Sequence, residues 1–424
     1  MTHKKIVTHQ ERKIVLENFI SLTTFQGISY LLPLVVLPYL IRVIGMEKFG
    51  LIAFAQSLVQ YFMILTDYGF SLSATRTLAL IKNNQHKTNA LFSAVMSVKL
   101  IFTLISLVIL CLIIFFVPRF REDWIVYLLC FGTVIGNSLF PVWFFQGKEK
   151  MHYIALINVF SSMINAICIF IFINQSQDYQ LVVLFNSLLS IISGMLALYM
   201  AFWKFKLKFI LQKYVDIKRE LFAGWDIFIS ILAVNIYTTS RVFAVGLLTN
   251  NLLTGYYSLA ERIANIIQTF PMDSFTRAVY PRISNVFVKN KQRATAIMYR
   301  IQDNITIGFL ISLPIAYFLA PVIIRLASGV LNQDIVLALR LLLGGVFFVG
   351  ANNFKIQFLL VCGKQKLYAK IHVVAALIGL PIIFILIDEF SYIGAAFATV
   401  LIEAGVFIFT SLIIGRLAKK ISKI

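Results

Sequence analysis

The sequence predicts an all-α polytopic membrane protein, with twelve transmembrane helices arranged as two pseudo-symmetric six-helix bundles around a central cleft. Three features lead there. Of 424 residues, 60% are hydrophobic and only 13% charged, where a soluble domain carries about a quarter charged residues. Apolar runs of roughly 20 residues, the length needed to cross a bilayer, recur along the whole chain. Short stretches recur with an offset close to half the chain length, which divides those runs into two sets of six.

Composition also excludes several classes. The balance of 38 Lys and Arg against 18 Asp and Glu, net +20, would suggest nucleic acid in a soluble protein. In a membrane protein it reflects loop orientation and anionic headgroups, so no nucleic-acid partner is expected. Cys111, Cys130, Cys168 and Cys362 each lie in an apolar run, with no CxxC spacing and no histidine at ligand distance. They read as small buried hydrophobes rather than a disulfide framework or a metal site. Gly147-Lys148-Glu149 and Gly363-Lys364-Gln365 lack the upstream glycine and the following Ser or Thr of a nucleotide-binding loop. No cofactor and no metal is expected, and no ATP-driven pump.

The twelve spans fall at about 18–41, 49–72, 90–117, 124–145, 152–173, 181–203, 221–248, 252–272, 303–326, 336–361, 368–387 and 392–415. A polar basic tail precedes the first, but no small-residue cleavage site follows it, so it reads as a retained helix. Alternating the loops between two sides places 27 Lys and Arg with both termini and only 6 on the opposite side. Both termini are therefore expected in the cytoplasm. The external loops are short, the longest on the order of ten residues, which leaves no room there for a catalytic domain.

The repeat rests on three matches. Gly50-Leu-Ile-Ala-Phe-Ala-Gln56 parallels Gly255-Tyr-Tyr-Ser-Leu-Ala-Glu261. Asp67 with Arg76 parallels Asp273 with Arg282, each pair nine apart. Gly147-Lys-Glu-Lys-Met151 parallels Gly363-Lys-Gln-Lys-Leu367. The offsets are 205, 206 and 216. Residues 1–212 and 213–424 are thus expected as N-terminal and C-terminal six-helix bundles, related by an axis along the membrane normal. The Lys-rich segment from Lys204 to Arg219 joins them.

Ionisable residues inside spans are costly and usually face a cavity. The acids there are Asp67, Asp226, Glu261, Asp273, Asp303 and Glu403; the bases are Lys99, Arg241, Arg262, Arg277 and Lys355. Asp226 and Asp303 suit helix starts, and Arg277 can reach the interface. Lys99, Arg241 and Lys355 lie deeper and are expected to face the cleft. Glu261 and Arg262 read equally as a structural ion pair or as ligands. Asp67 opens a Gly- and Ser-rich stretch ending at Arg76, which reads equally as an ion-paired inner gate or a helix-end cap. Pro33, Pro38, Pro271 and Pro314 interrupt spans and mark candidate bending points.

Several stretches resemble the Wzx (O-antigen translocase) family of the multidrug/oligosaccharidyl-lipid/polysaccharide exporter superfamily. They include Pro38-Tyr-Leu-Ile-Arg42-Val-Ile-Gly45, Phe49-Gly50 with Gln56-Ser57-Leu58, and Asp67-Tyr68-Gly69-Phe70 with Ser73-Ala74-Thr75-Arg76. Phe144-Phe145-Gln146-Gly147-Lys148-Glu149-Lys150-Met151, Gly255-Tyr256-Tyr257-Ser258 and Tyr280-Pro281-Arg282 complete the set. The resemblance implies a bacterial inner-membrane flippase, not an enzyme, that moves undecaprenyl-diphosphate-linked oligosaccharide from the cytoplasmic to the periplasmic leaflet. Its partners would be that lipid-linked substrate and the bilayer, with a polysaccharide polymerase and a chain-length regulator alongside. Lys99, Arg241, Arg262 and Lys355 are the expected substrate-binding residues, since a diphosphate in hydrocarbon needs cationic donors. Asp67, Arg76, Glu261, Asp273 and Glu403 are the ion-coupling or gating candidates, because an acid reached alternately from each side is the simplest proton carrier. Another exporter of the same superfamily is the alternative, and a membrane glycosyltransferase or polymerase a distant third.

Overall fold

In the computed structural model the backbone is described over residues 9–81, 84–210, 212 and 214–422. Within them the secondary structure is helical. Unit by unit along the chain these are α1 (His9–Asp67), α2 (Phe70–Ile81), α3 (Gln85–Phe116), α4 (Pro118–Arg121), α5 (Trp124–Leu139), α6 (Val142–Gly147) and α7 (Met151–Phe172). After a 3-10 turn come α8 (Tyr179–Phe205), α9 (Tyr214–Leu248), α10 (Asn251–Lys289), α11 (Lys291–Ser328), α12 (Gln333–Val361) and α13 (Gln365–Ser422).

Nine segments among the described residues are long and apolar enough to cross a membrane. The bilayer also explains how their side chains are distributed. On α3, Leu100, Leu104, Val108, Leu112 and Phe115 form an exposed stripe, while Val95, Val98, Ser106 and Leu110 are buried. In water such a stripe would be an aggregation site; in hydrocarbon it is the solvated face, and the protein is a multi-pass membrane protein.

The two longest helices are each broken once. α1 leaves helical geometry at Gly45 (φ 82°), and α13 at Ser391 (φ 56°). Both breaks fall in intervals left between expected spans, 42–48 and 388–391, while the expected bending points do not interrupt their helices: α1 runs on through Pro33 and Pro38, and α11 through Pro314. A proline removes one helical hydrogen bond but need not break a helix packed on both sides. Gly45 and Ser391 instead take positive φ, where right-handed helical geometry cannot continue. Two more, Tyr68 (φ 46°) and Gly69 (φ 75°), end α1.

The chain forms two compact units, residues 1–44 with 59–228 and residues 45–58 with 229–424. In the first, α5 packs on α8 through small residues. A Cβ on Gly136 would lie 2.5 Å from the Ser190 carbonyl oxygen, and one on Gly132 2.6 Å from the Ser187 Cβ. This close approach is the means by which helices associate where no hydrophobic effect acts between them. The stretch Phe144 to Lys150 is a packing corner. Phe144 and Phe145 are fully buried and meet the Phe205 ring at 5.2 and 6.1 Å, and Gly147 fits against Leu78.

In the second unit the repeat becomes visible as a contact. The helix after the Gly45 break crosses α10 so that a Cβ on Gly50 would overlap the Asn251 carbonyl oxygen and stand 2.6 Å from the Gly255 nitrogen. Reciprocally, a Cβ on Gly255 would overlap the Met46 carbonyl oxygen and stand 3.0 Å from the Met46 Cγ. Gly50 and Gly255 are the first residues of the matched stretches, and Met46 and Asn251 share their offset of 205.

Candidate functional site

Three pairs of residues, each spaced one helical turn apart, converge inside the second unit: Tyr237 and Arg241 on α9, Tyr257 and Glu261 on α10, Thr399 and Glu403 on α13. Arg241 Nη2 donates to Glu403 Oε1 at 2.9 Å, and both side chains are about nine-tenths buried. The Arg241 guanidinium also lies 5.9 Å from the centre of the Tyr237 ring. Its Nε is buried without a hydrogen-bond partner. The Tyr257 hydroxyl donates to Glu261 Oε1 at 3.3 Å and stands 3.4 Å from Thr399 Oγ1. Arg241 and Arg262 both act electrostatically on Glu261. Arg262 Nη2 donates to Gln56 Oε1 at 2.8 Å, and its guanidinium lies 5.3 Å from the Phe49 ring centre.

Two arginines and two glutamates make this cluster formally neutral. Burying each ion costs several kcal/mol, and only a closely held partner offsets it. Both arginines are therefore occupied. A salt bridge of this kind is poor evidence for stability but a natural switch, because one proton on Glu403 removes the charge that Arg241 needs.

Lys355, on α12, is held differently. Its Nζ donates to Ser411 Oγ at 3.0 Å and lies 4.3 Å from the Phe407 ring centre. The side chain is half-buried, its contacts are neutral, and Asp303 acts on it only through space. Thr399, Glu403, Phe407 and Ser411 recur every four residues, so one stripe of α13 carries both the ion pair and the lysine's partners. The separation along that stripe from Glu403 to Ser411 is roughly 12 Å.

Lys99 lies apart, in the first unit, with only 2% of its surface exposed. Its Nζ donates to the Asn137 carbonyl at 3.1 Å. In a continuous helix that carbonyl would accept from residue 141, but Pro141 has no N–H. Lys99 thus satisfies the acceptor that the proline leaves unpaired at the end of α5. Thr103 and Ser138 bond each other at 2.8 Å and both return to the Lys99 carbonyl. Asp67, half-buried at the end of α1, acts on Lys99 electrostatically. Arg76 is exposed on α2, and no ion pair joins it to Asp67 among the described residues. The side chain of Asp273 lies outside the described residues.

The structure therefore brings Arg241, Glu261, Arg262 and Glu403 together in the second unit, where Lys355 is held by other partners; Lys99, Asp67 and Arg76 belong to the first unit. Tyr237, Tyr257, Thr399, Gln56, Phe407 and Ser411 complete the sites. The signal for three of them was present in the sequence: a hydroxyl-bearing residue one turn before a buried charge.

A family described as polysaccharide biosynthesis protein matches residues 15–287. The chain belongs to that family. It is 30% identical over 383 residues to an Escherichia coli (strain K12) protein named "Putative O-antigen transporter", covering 89% of this chain and 91% of the relative. A Shigella dysenteriae protein of the same name is 24% identical over 402 residues, covering 93% and 98%. Among solved structures, the fold is similar to the lipid II flippase MurJ in an inward closed conformation, with TM-score 0.75 and 16% identity over 95% of this chain and 90% of that one. It is also similar to an inward-facing multidrug resistance MATE family transporter of the MOP superfamily, with TM-score 0.72 and 14% identity over 92% and 96%. The expected kinship with O-antigen transporters is thus shown by the family match and the relatives, and the solved structures show the all-α fold.

Proposed function

We propose that this protein is a flippase that carries undecaprenyl-diphosphate-linked oligosaccharide, an O-antigen or related repeat unit, from the cytoplasmic to the periplasmic leaflet. The observation that carries this reading is the alignment with the Escherichia coli O-antigen transporter relative along nearly the whole of both chains. The protein is a carrier rather than an enzyme. It crosses the bacterial inner membrane twelve times with both termini in the cytoplasm, and it hands its product to a polymerase and a chain-length regulator.

Each residue has a distinct part in this scheme. Lys355, held by a hydroxyl and an aromatic face, is the cation that an anionic headgroup can recruit. Arg241 and Glu403 form the ion-coupled element: protonation of Glu403 frees Arg241, and deprotonation restores the pair. Glu261, Tyr257 and Arg262 hold that element in place. Asp67 serves the same purpose beside Lys99, whose own part is structural. Moving one charge through about 100 mV releases roughly 2.3 kcal/mol, enough to bias a two-state carrier some fifty-fold.

The test is flipping of the lipid-linked oligosaccharide in proteoliposomes under an imposed pH gradient. The wild type should flip it, and a protonophore should slow that flipping; absence of flipping would overturn the assignment, and indifference to the protonophore would overturn the coupling alone. In the same assay Lys355→Ala should lose about ten- to hundred-fold, the worth of a charge-assisted hydrogen bond, and Lys355→Arg should recover much of it. Equal activity of wild type and Lys355→Ala would remove Lys355 from the substrate path.

Orientation is tested separately. Cysteines placed at Asn250 and Asp388 should react with an impermeant maleimide in intact cells, and one at Lys208 should not. Labelling at position 208 would reverse the topology.

A further inference from the structure

The segment that follows α8 carries a feature the transport cycle does not use. α8 ends at Phe205, and Lys206 caps it in a left-handed conformation (φ 49°). The next four residues are not helical, yet they are tacked down. Gln85 Nε2 donates to the carbonyls of Phe205 and Lys206 at 3.1 and 3.2 Å, and Ser93 Oγ accepts from the Ile210 N–H at 2.9 Å. Leu207 is buried between them. Lys206, in its left-handed conformation, and Lys208, just beyond the buried Leu207, are both exposed. The ammonium groups are presented by a fixed backbone rather than a loose tail.

Large apolar side chains flank them on the same stretch. Trp203 is 73% exposed and Phe209 52%, and Trp203 stacks on the exposed Tyr199 one turn earlier with 6.3 Å between ring centres. Lys204, also exposed, rests its Nζ 4.9 Å from the Tyr153 ring centre. No Asp or Glu occurs anywhere between Asp178 and Asp216, so nothing in this stretch neutralises the lysines. Exposed Trp and Tyr at the end of a membrane-crossing helix mark the headgroup level, and clustered lysines at that level attract anionic lipid.

We propose that Trp203, Lys204, Lys206, Lys208 and Phe209 form a docking surface for the headgroup of an anionic phospholipid. The rings enter the acyl–headgroup boundary and the three ammonium groups meet the phosphate. This inference needs only that α8 crosses the membrane; it does not depend on what the protein transports.

The probe is tryptophan fluorescence of the full chain in nanodiscs containing brominated phosphatidylglycerol or brominated phosphatidylcholine, with Trp203→Phe measured in parallel to isolate the Trp203 signal. At low salt the Trp203 component should be quenched by brominated phosphatidylglycerol at about three-fold lower mole fraction than by brominated phosphatidylcholine. That preference should fade as salt approaches about 0.5 M, where charges are screened over a few ångströms. It should also vanish in the triple variant Lys204→Gln/Lys206→Gln/Lys208→Gln. Equal quenching by the two lipids in the wild type at low salt would overturn the proposal, as would a preference that survives high salt or the triple variant. Should the triple variant fail to fold, the wild-type salt series decides alone.

Discussion

Glu403→Ala is expected to destabilise the protein by about 3–5 kcal/mol and to abolish transport, because it leaves a guanidinium buried without its counter-charge. Arg241→Ala should cost less. The orphaned carboxylate can escape by binding a proton, whereas a guanidinium cannot shed one. The double variant Arg241→Met/Glu403→Leu should regain most of the lost stability while remaining inactive, since both desolvation penalties disappear together. Thermal unfolding at fixed lipid and detergent composition measures the order. If Glu403→Ala melts with the wild type, or the double variant melts no higher than Glu403→Ala, the pair at 2.9 Å is not the element described here.

The second large effect is expected at the glycine crossing. At Gly50 an added methyl would meet only backbone atoms of Asn251 and Gly255, and at Gly255 it would meet the Met46 carbonyl oxygen before the Met46 side chain, so the nearest obstacle at each is backbone that cannot yield by rotating. Gly50→Ala or Gly255→Ala alone should therefore force the two helices apart and cause most of the loss of folded, active protein; leucine should abolish it. Gly405→Ala is the control. Nothing lies within 4 Å of a Cβ there, and exchanging glycine for alanine inside a helix should stabilise by up to about 1 kcal/mol. Yield of monodisperse protein and transport activity are the readouts. Wild-type behaviour of Gly50→Ala would mean that the crossing is not closely packed.

Much of the architecture could be read before any coordinates. Hydropathy marked long apolar helices, nine of which among the described residues can cross a membrane, because backbone groups in lipid must pair within their own helix and long apolar runs follow. The recurrence of Gly50 at Gly255 was visible as a motif, although only the structure brings the two into contact. Arg241, Glu261, Arg262 and Glu403 were legible as ionisable residues inside apolar runs. Their pairing was not readable. Arg241 and Glu403 are 162 residues apart, and no local rule connects them. Lys99 illustrates the converse. It was expected to face the cleft, but its partner is an α5 carbonyl freed by Pro141, so the clue lay in a residue whose effect is to remove a donor. The breaks at Gly45 and Ser391 fall in the intervals left between expected spans, 42–48 and 388–391, whereas prolines expected to bend helices leave them unbroken. That a serine takes φ 56° at the second break was not legible, since glycine is the usual sequence signal for positive φ.

Met46 and Gly50 meet Asn251 and Gly255 as i meets j and j meets i, the relation found where two identical subunits face each other across a two-fold axis. Here both copies of the patch belong to one polypeptide, so they have been free to become different away from the contact itself. The residues 205 positions before Arg241 and Glu261 are Val36 and Gln56. The charged cluster is thus carried by one half without a counterpart at the matching positions of the other. A homodimer built on the same contact would have to carry such a cluster twice or not at all. Fusing the halves lets the chain keep the symmetry that packs its helices while holding the cluster in single copy, so the cluster occurs once per chain and not once per repeat.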